Sequence, residues 1–99
     1  MRNIEFHEEA DLELTHTFNW YEKKKEGLGT EFYQAVKASL ALIINSPETW
    51  PKYFEKYSKL NLSRFPYAIT YKFDEETIIV MGVISLSREP GYWLDRDKS

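Results

Sequence analysis

The run Ile78-Ile79-Val80-Met81-Gly82-Val83-Ile84 decides how this chain folds. It is almost continuously apolar, as a central strand covered on both faces must be. Gly82 in its middle predicts a bulge or the close approach of another backbone. Just before it, Asp74-Glu75-Glu76 supplies a polar turn. Before that turn, Tyr67, Ile69, Tyr71 and Phe73 alternate with other residues, so they share one face of a preceding strand. Lys56 to Leu62 also alternates, with Ser58, Leu60 and Leu62 on one side and Tyr57, Lys59 and Asn61 on the other.

The first half has a different period. Asn3 to His7 alternates Ile4 and Phe6 against polar neighbours, a short strand. From Glu8 onward Ala10, Leu14, Phe18 and Tyr21 fall on one helical face. Glu8, Glu9 and Asp11 begin that helix and Lys23, Lys24 and Lys25 end it, the order that the helix dipole favours. Gly27 stands where a left-handed cap is expected. Phe32, Ala35, Val36, Leu40, Ile43 and Ile44 then form a wide apolar stripe, and Asn45-Ser46-Pro47 stops the second helix. The short connection predicts an antiparallel helical hairpin. A loop with Pro47, Trp50 and Pro51 leads into the strands. The predicted order is β-α-α-β-β-β: one α+β domain over residues 1–99, its N-terminal helical hairpin packed on a small antiparallel sheet.

Composition narrows the function. The 99 residues are 42% hydrophobic, enough for one modest core, and carry a formal charge of −3. A dedicated nucleic-acid binder is more often basic, although local basic patches remain open. No stretch approaches the roughly 18–20 apolar residues of a membrane span, and no secretory signal is visible. Cysteine is absent, which excludes disulfides and fits a cytoplasmic chain. His7 and His16 have no cysteine beside them, so no metal site is expected, and they read as surface or capping residues. No cofactor is expected either: Gly27-Leu28-Gly29 lacks the lysine of a phosphate loop. The serines have no evident His/Asp partners, which argues against a nucleophilic hydrolase. Glu8-Glu9 and Asp74-Glu75-Glu76 are explained by a helix start and a turn tip. Trp20-Tyr21 reads as core and hairpin packing.

The tail is harder to explain by folding alone. Arg88-Glu89-Pro90-Gly91-Tyr92-Trp93-Leu94-Asp95-Arg96 combines two arginines and two large aromatics around a Pro-Gly break. Two readings stand for each of its residues. Tyr92 and Trp93 either seal the sheet or serve recognition. Arg88 and Arg96, with Lys59, form either a basic patch or a solvated face. Arg64 either pairs with an acid beside its strand or belongs to the same surface. Lys59, Arg64, Arg88, Tyr92, Trp93 and Arg96 are therefore the candidate target-binding residues.

The chain resembles the RelE/ParE superfamily of toxins from type II toxin–antitoxin modules, in its ParE-like plasmid-stabilisation branch. The resemblance runs from about Phe6 to Arg96. It rests on Ala10 with Trp20-Tyr21-Glu22, Gly27-Leu28-Gly29 with Phe32, and Ser46-Pro47 with Trp50-Pro51. Arg64-Phe65-Pro66-Tyr67 leading to Tyr71, and Ser87-Arg88-Glu89-Pro90-Gly91-Tyr92-Trp93 with Arg96, complete it. It implies a cytoplasmic, growth-inhibiting toxin held by a cognate antitoxin, in toxin–antitoxin hetero-oligomers. DNA gyrase would be the target by family analogy. RelE-type members instead cleave messenger RNA on the ribosome. Here Ala68 and Leu86 stand where those enzymes carry arginines, and Asn61 replaces one of two lysines, the other being Lys59. Phosphoryl transfer needs such cations, so the resemblance leans away from an enzyme. Ser85 also stands where many ParE-like chains have histidine. Ribosome-dependent cleavage and a degenerate, non-toxic antitoxin-binding module are the alternatives.

Overall fold

The computed structural model describes residues 2–98. Strand β1 (Asn3–Phe6) leads into helix α1 (Glu8–Lys24), which is followed by α2 (Leu28–Asn45) and strands β2 (Ser58–Asn61), β3 (Tyr67–Phe73) and β4 (Thr77–Ser85). Short 3-10 helices follow α2, at Pro47–Thr49, and close the described residues, at Leu94–Lys98. The sheet order is β1-β4-β3-β2. β2, β3 and β4 form the expected antiparallel meander, while β1 adds in parallel to β4, which makes the sheet mixed.

Both helices end as their residues dictate. His7 caps α1, its Nδ1 accepting from Glu9 N at 3.1 Å. With Nδ1 as acceptor, Nε2 carries the proton and donates to Arg96 O at 3.1 Å. Gly27 takes a positive φ of 88° between the helices. Glu22 of α1 then caps α2, its carboxylate accepting from Gly27 N and Gly29 N, each at 2.9 Å. A side chain at Gly29 would lie 2.6 Å from Phe18 O, so glycine there lets the hairpin close.

The apolar stripe of α2 buries Phe32, Val36 and Ile43 completely against Ile69, Tyr71, Ile78, Val80 and Val83, with Ala10 of α1 in the same cluster. Tyr21 joins through aromatic contacts with Phe32, Phe65 and Tyr67 at centroid distances of 5.1–6.1 Å. Its neighbour Trp20 does not: it stays 49% exposed on the outer face of α1, under Lys24 Nζ at 4.8 Å. The expectation of core packing thus fits Tyr21 and misses Trp20, which points the other way round the helix.

Gly82 marks the bulge that its position predicts, whereas the groups that approach it closely are side chains and not another backbone. Tyr71 pairs with Val80 and Thr70 with Gly82, so Met81 is one extra residue in β4. This bulge reverses the alternation. Ile78, Val80 and Val83 face the helices, while Ile79, Met81 and Ile84 face away. A side chain at Gly82 would meet Ile84 Cγ2 at 2.8 Å, Thr70 Oγ1 at 3.1 Å and Arg96 Nη1 at 3.3 Å.

The far face of the sheet is not bare. Trp93 folds onto it, fully buried with Tyr57, Ala68, Met81 and Ile84. The protein therefore has three layers: helical hairpin, sheet and C-terminal segment.

Candidate functional site

The tail is held by two ionic anchors. Glu13 of α1 receives a two-pronged contact from Arg96, Nη1 to Oε1 at 2.8 Å and Nη2 to Oε2 at 2.9 Å. The same carboxylate accepts from Tyr92 OH at 2.5 Å and from Val83 N at 3.1 Å. Arg96 Nη1 also donates to Met81 O at 2.9 Å. The position follows from strand lengths. β1 stops opposite Val80, and beyond it β4 has no strand on that side. Glu13 and Arg96 satisfy backbone groups at this open edge, which would otherwise be left orphaned.

The pair is largely buried, with side-chain exposures of 12% for Arg96 and 19% for Glu13. Hydrogen bonding to Glu13 raises the Arg96 pKa against the opposing effect of burial. Tyr92 is pushed up to about 12, first by burial and then by its bond to Glu13. It remains a neutral hydrogen-bond donor at physiological pH.

The second anchor lies on the other side of the tail. Asp97 accepts from Lys72 Nζ at 2.6 Å and from Tyr57 OH at 2.5 Å, and Lys56 Nζ lies 3.0 Å away. These donors, Lys72 foremost, hold the Asp97 carboxyl far below the usual carboxylate range. Burial, reinforced by Asp97, pushes Tyr57 up to about 12.

Between α1 and the tail runs an open groove of about 710 Å³. Leu12, Glu13 and His16 line one wall, Tyr67 and Val83 the floor, and Arg88, Tyr92 and Arg96 the other wall. Arg88 is exposed, its guanidinium 3.9 Å above the Tyr92 ring, and Arg96 lies 5.3 Å from the same ring. This contact sets the Arg88 guanidinium beside the groove, which Arg88 also lines.

The structure thus brings three of the six expected residues together and separates the rest. Trp93 requires correction as a target-binding residue. It is 0% exposed and packs edge-on to Tyr57 at 5.0 Å, because burying a side chain of this size outweighs leaving it in water. Lys59 sits over the Tyr53 ring at 4.1 Å and does not line the groove. Arg64 pairs with Glu31 at 2.6 Å on the hairpin side, where both side chains are well exposed. The tail covers the part of the far sheet face formed by Tyr57, Ala68, Met81 and Ile84. Among the described residues no group of three or more His, Cys, Asp or Glu could hold a metal ion, and no helix is long and apolar enough to cross a membrane.

Glu13 is the residue that sequence reasoning missed. It lies three residues after Ala10 and four before Thr17, both buried, so it shares their helical stripe. A carboxylate at such a position needs a cationic partner, and the tail arginines were available to supply one.

No protein-family model and no curated protein matches the chain. Among solved structures it is similar to a chain of the chromosomal ParDE TA system from P. aeruginosa, with a TM-score of 0.75 and 12% identity, covering 86% of this chain and 96% of the other. At that identity the likeness is one of architecture. The chain has the ParE-like α+β fold.

Proposed function

We propose that this chain is the toxin of a type II toxin–antitoxin module, acting by protein contact and neutralised by a cognate antitoxin in the cytoplasm. DNA gyrase is the target that family analogy suggests. The observation that carries the reading is the gathering of Arg88, Tyr92 and Arg96 beside one groove, on a fold shared with a ParDE-system chain. These three belong to the C-terminal motif on which the sequence resemblance rests. Fold alone does not transmit a target, so the residues bear the weight.

Messenger-RNA cleavage has weaker support. Of Lys59, Arg64, Arg88 and Tyr92, only Arg88 and Tyr92 are in contact, and Arg64 is committed to Glu31. A phosphoryl-transfer site needs its cations converged on one phosphate.

The test is induction of the chain alone in bacteria, following growth, plasmid supercoiling and transcript integrity together. Growth arrest with altered supercoiling and intact transcripts is expected. Normal growth with unaltered topology removes the toxin reading for that host, and transcripts cut at codon boundaries transfer the claim to the ribonuclease alternative. Co-expression with the neighbouring reading frame is expected to restore growth and to yield a hetero-oligomer on size-exclusion chromatography.

A further inference from the structure

We propose that the exposed face of α1 docks a second copy of this chain, helix against antiparallel helix, in a register centred on His16. This goes beyond the toxin reading and does not depend on it.

Glu9, Leu12, His16, Trp20 and Lys23 are all exposed and belong to α1. At 3.6 residues per turn they fall within about 80° of arc. Phe18, which contacts Tyr33 of α2, lies on the opposite flank. Leu12 is 56% exposed and Trp20 49%, so the helix keeps two large apolar side chains in water, about one turn either side of His16. Lys24 Nζ leans over the Trp20 ring at 4.8 Å and still leaves half of that side chain uncovered. Glu9 and Lys23, at the two ends of the stripe, form no salt bridge among the described residues.

The spacing is symmetric. Leu12 and Trp20 each stand four residues from His16, and Glu9 and Lys23 each stand seven. A twofold axis at His16 that reverses the helix direction therefore brings Leu12 to Trp20 of the second copy and Glu9 to its Lys23, each contact occurring twice. Seven residues span about 10 Å of helix, so the acid–base pairs close the contact at its ends. The helix dipole explains why acids precede lysines along α1. It does not explain why one of each shares a flank with two exposed apolar residues, at matched distances from one centre. A second copy presents the same groups in the complementary order, which is what such a face fits. With two apolar side chains from each copy, the contact belongs to the small, transient class of interfaces.

Sedimentation equilibrium of the full chain, over roughly 5–500 µM, tests this. The weight-average mass is expected to rise from 11.8 kDa towards twice that value, with a dissociation constant of roughly 10–100 µM. Glu9→Lys and Lys23→Glu should each weaken the dimer about fivefold or more, since each turns two attractive pairs into repulsive ones. The double variant Glu9→Lys/Lys23→Glu should recover it, and an equimolar mixture of the two single variants should form a heterodimer. Leu12→Asp should weaken association in every background. Circular dichroism and Tm of each variant serve as folding controls. A purely structural effect gives the opposite order, because the double variant opposes the helix dipole at both ends and is the least stable of the three. A chain that stays monomeric throughout the range leaves this face to a different protein and overturns the proposal. So does a dimer indifferent to the single reversals, or a double variant that associates no better than the singles.

Discussion

The two faces of the sheet are covered by different means. On one, a contiguous helical hairpin lays down Phe32, Val36 and Ile43 at regular spacing, and apolar burial does nearly all the work. On the other, a short irregular segment brings a single large side chain, Trp93, and is held just after it by Glu13–Arg96 and Asp97–Lys72. Periodic apolar surface specifies a fold robustly because many residues agree. A tail fixed by one tryptophan and two ionic anchors is less redundant. It carries polar side chains to the surface in fixed positions, and Arg88 and Tyr92 are among them.

Substitutions can break each cover separately. Phe32→Ala should have the largest effect, a loss of about 3–5 kcal/mol measured by urea denaturation, because the cavity opens between two helices and the sheet. Trp93→Ala should cost somewhat less, about 3 kcal/mol, since the tail can leave and water can fill the space. It should spare the helical circular-dichroism signal while exposing the far sheet face to a hydrophobic dye. If both variants lose helix signal equally, the layers are not separable in this way.

Smaller changes sharpen the contrast. Glu13→Gln keeps the shape but leaves Arg96 facing a neutral amide, with a cost of about 2 kcal/mol in denaturant. The loss should shrink in an Arg96→Met background, which a double-mutant cycle would show. Gly82→Ala places a methyl against Ile84, Thr70 and Arg96. It should cost about 1–2 kcal/mol in the same assay, and disturb the tail amides in NMR spectra more than those of α2.

How far these regions could be read in advance follows the same divide. The helical hairpin and β4 were legible because their apolar residues recur at a fixed period, and because Gly27, Gly82 and Pro47 each have a specific backbone use. The parallel placement of β1 was not, since four residues do not reveal which neighbour they join. In the tail, residue types identified a surface without deciding its parts. Arg88 and Tyr92 reach the groove, while Trp93, next to Tyr92 in sequence, turns to the interior. Adjacent residues in an irregular segment share no periodicity that would separate them. Glu13 was hidden for another reason: its partner Arg96 lies 83 residues away.

The smallest expected effect is alkaline. Tyr57, Tyr71 and Tyr92 all have their pKa raised to about 12, chiefly by burial. The unfolded chain releases these protons near the ordinary value of about 10 while the native state keeps them, so stability is intact below that pH and falls as pH rises towards 12. Tyr92→Phe should change stability at neutral pH by about 1 kcal/mol or less and make the alkaline decline shallower in pH-dependent denaturation.

Native-state hydrogen exchange of the intact chain tests the central claim most directly, namely that residues 91–98 form a third layer and do not hang free. Leu94 N bonds Gly91 O at 3.0 Å and Arg96 N bonds Trp93 O at 3.1 Å, and both should be protected along with the Val83 amide on Glu13. Trp93→Ala should abolish the protection of the tail amides and leave that of α2 in place. Exchange of Leu94 and Arg96 at random-coil rates in the unmodified protein would contradict the account.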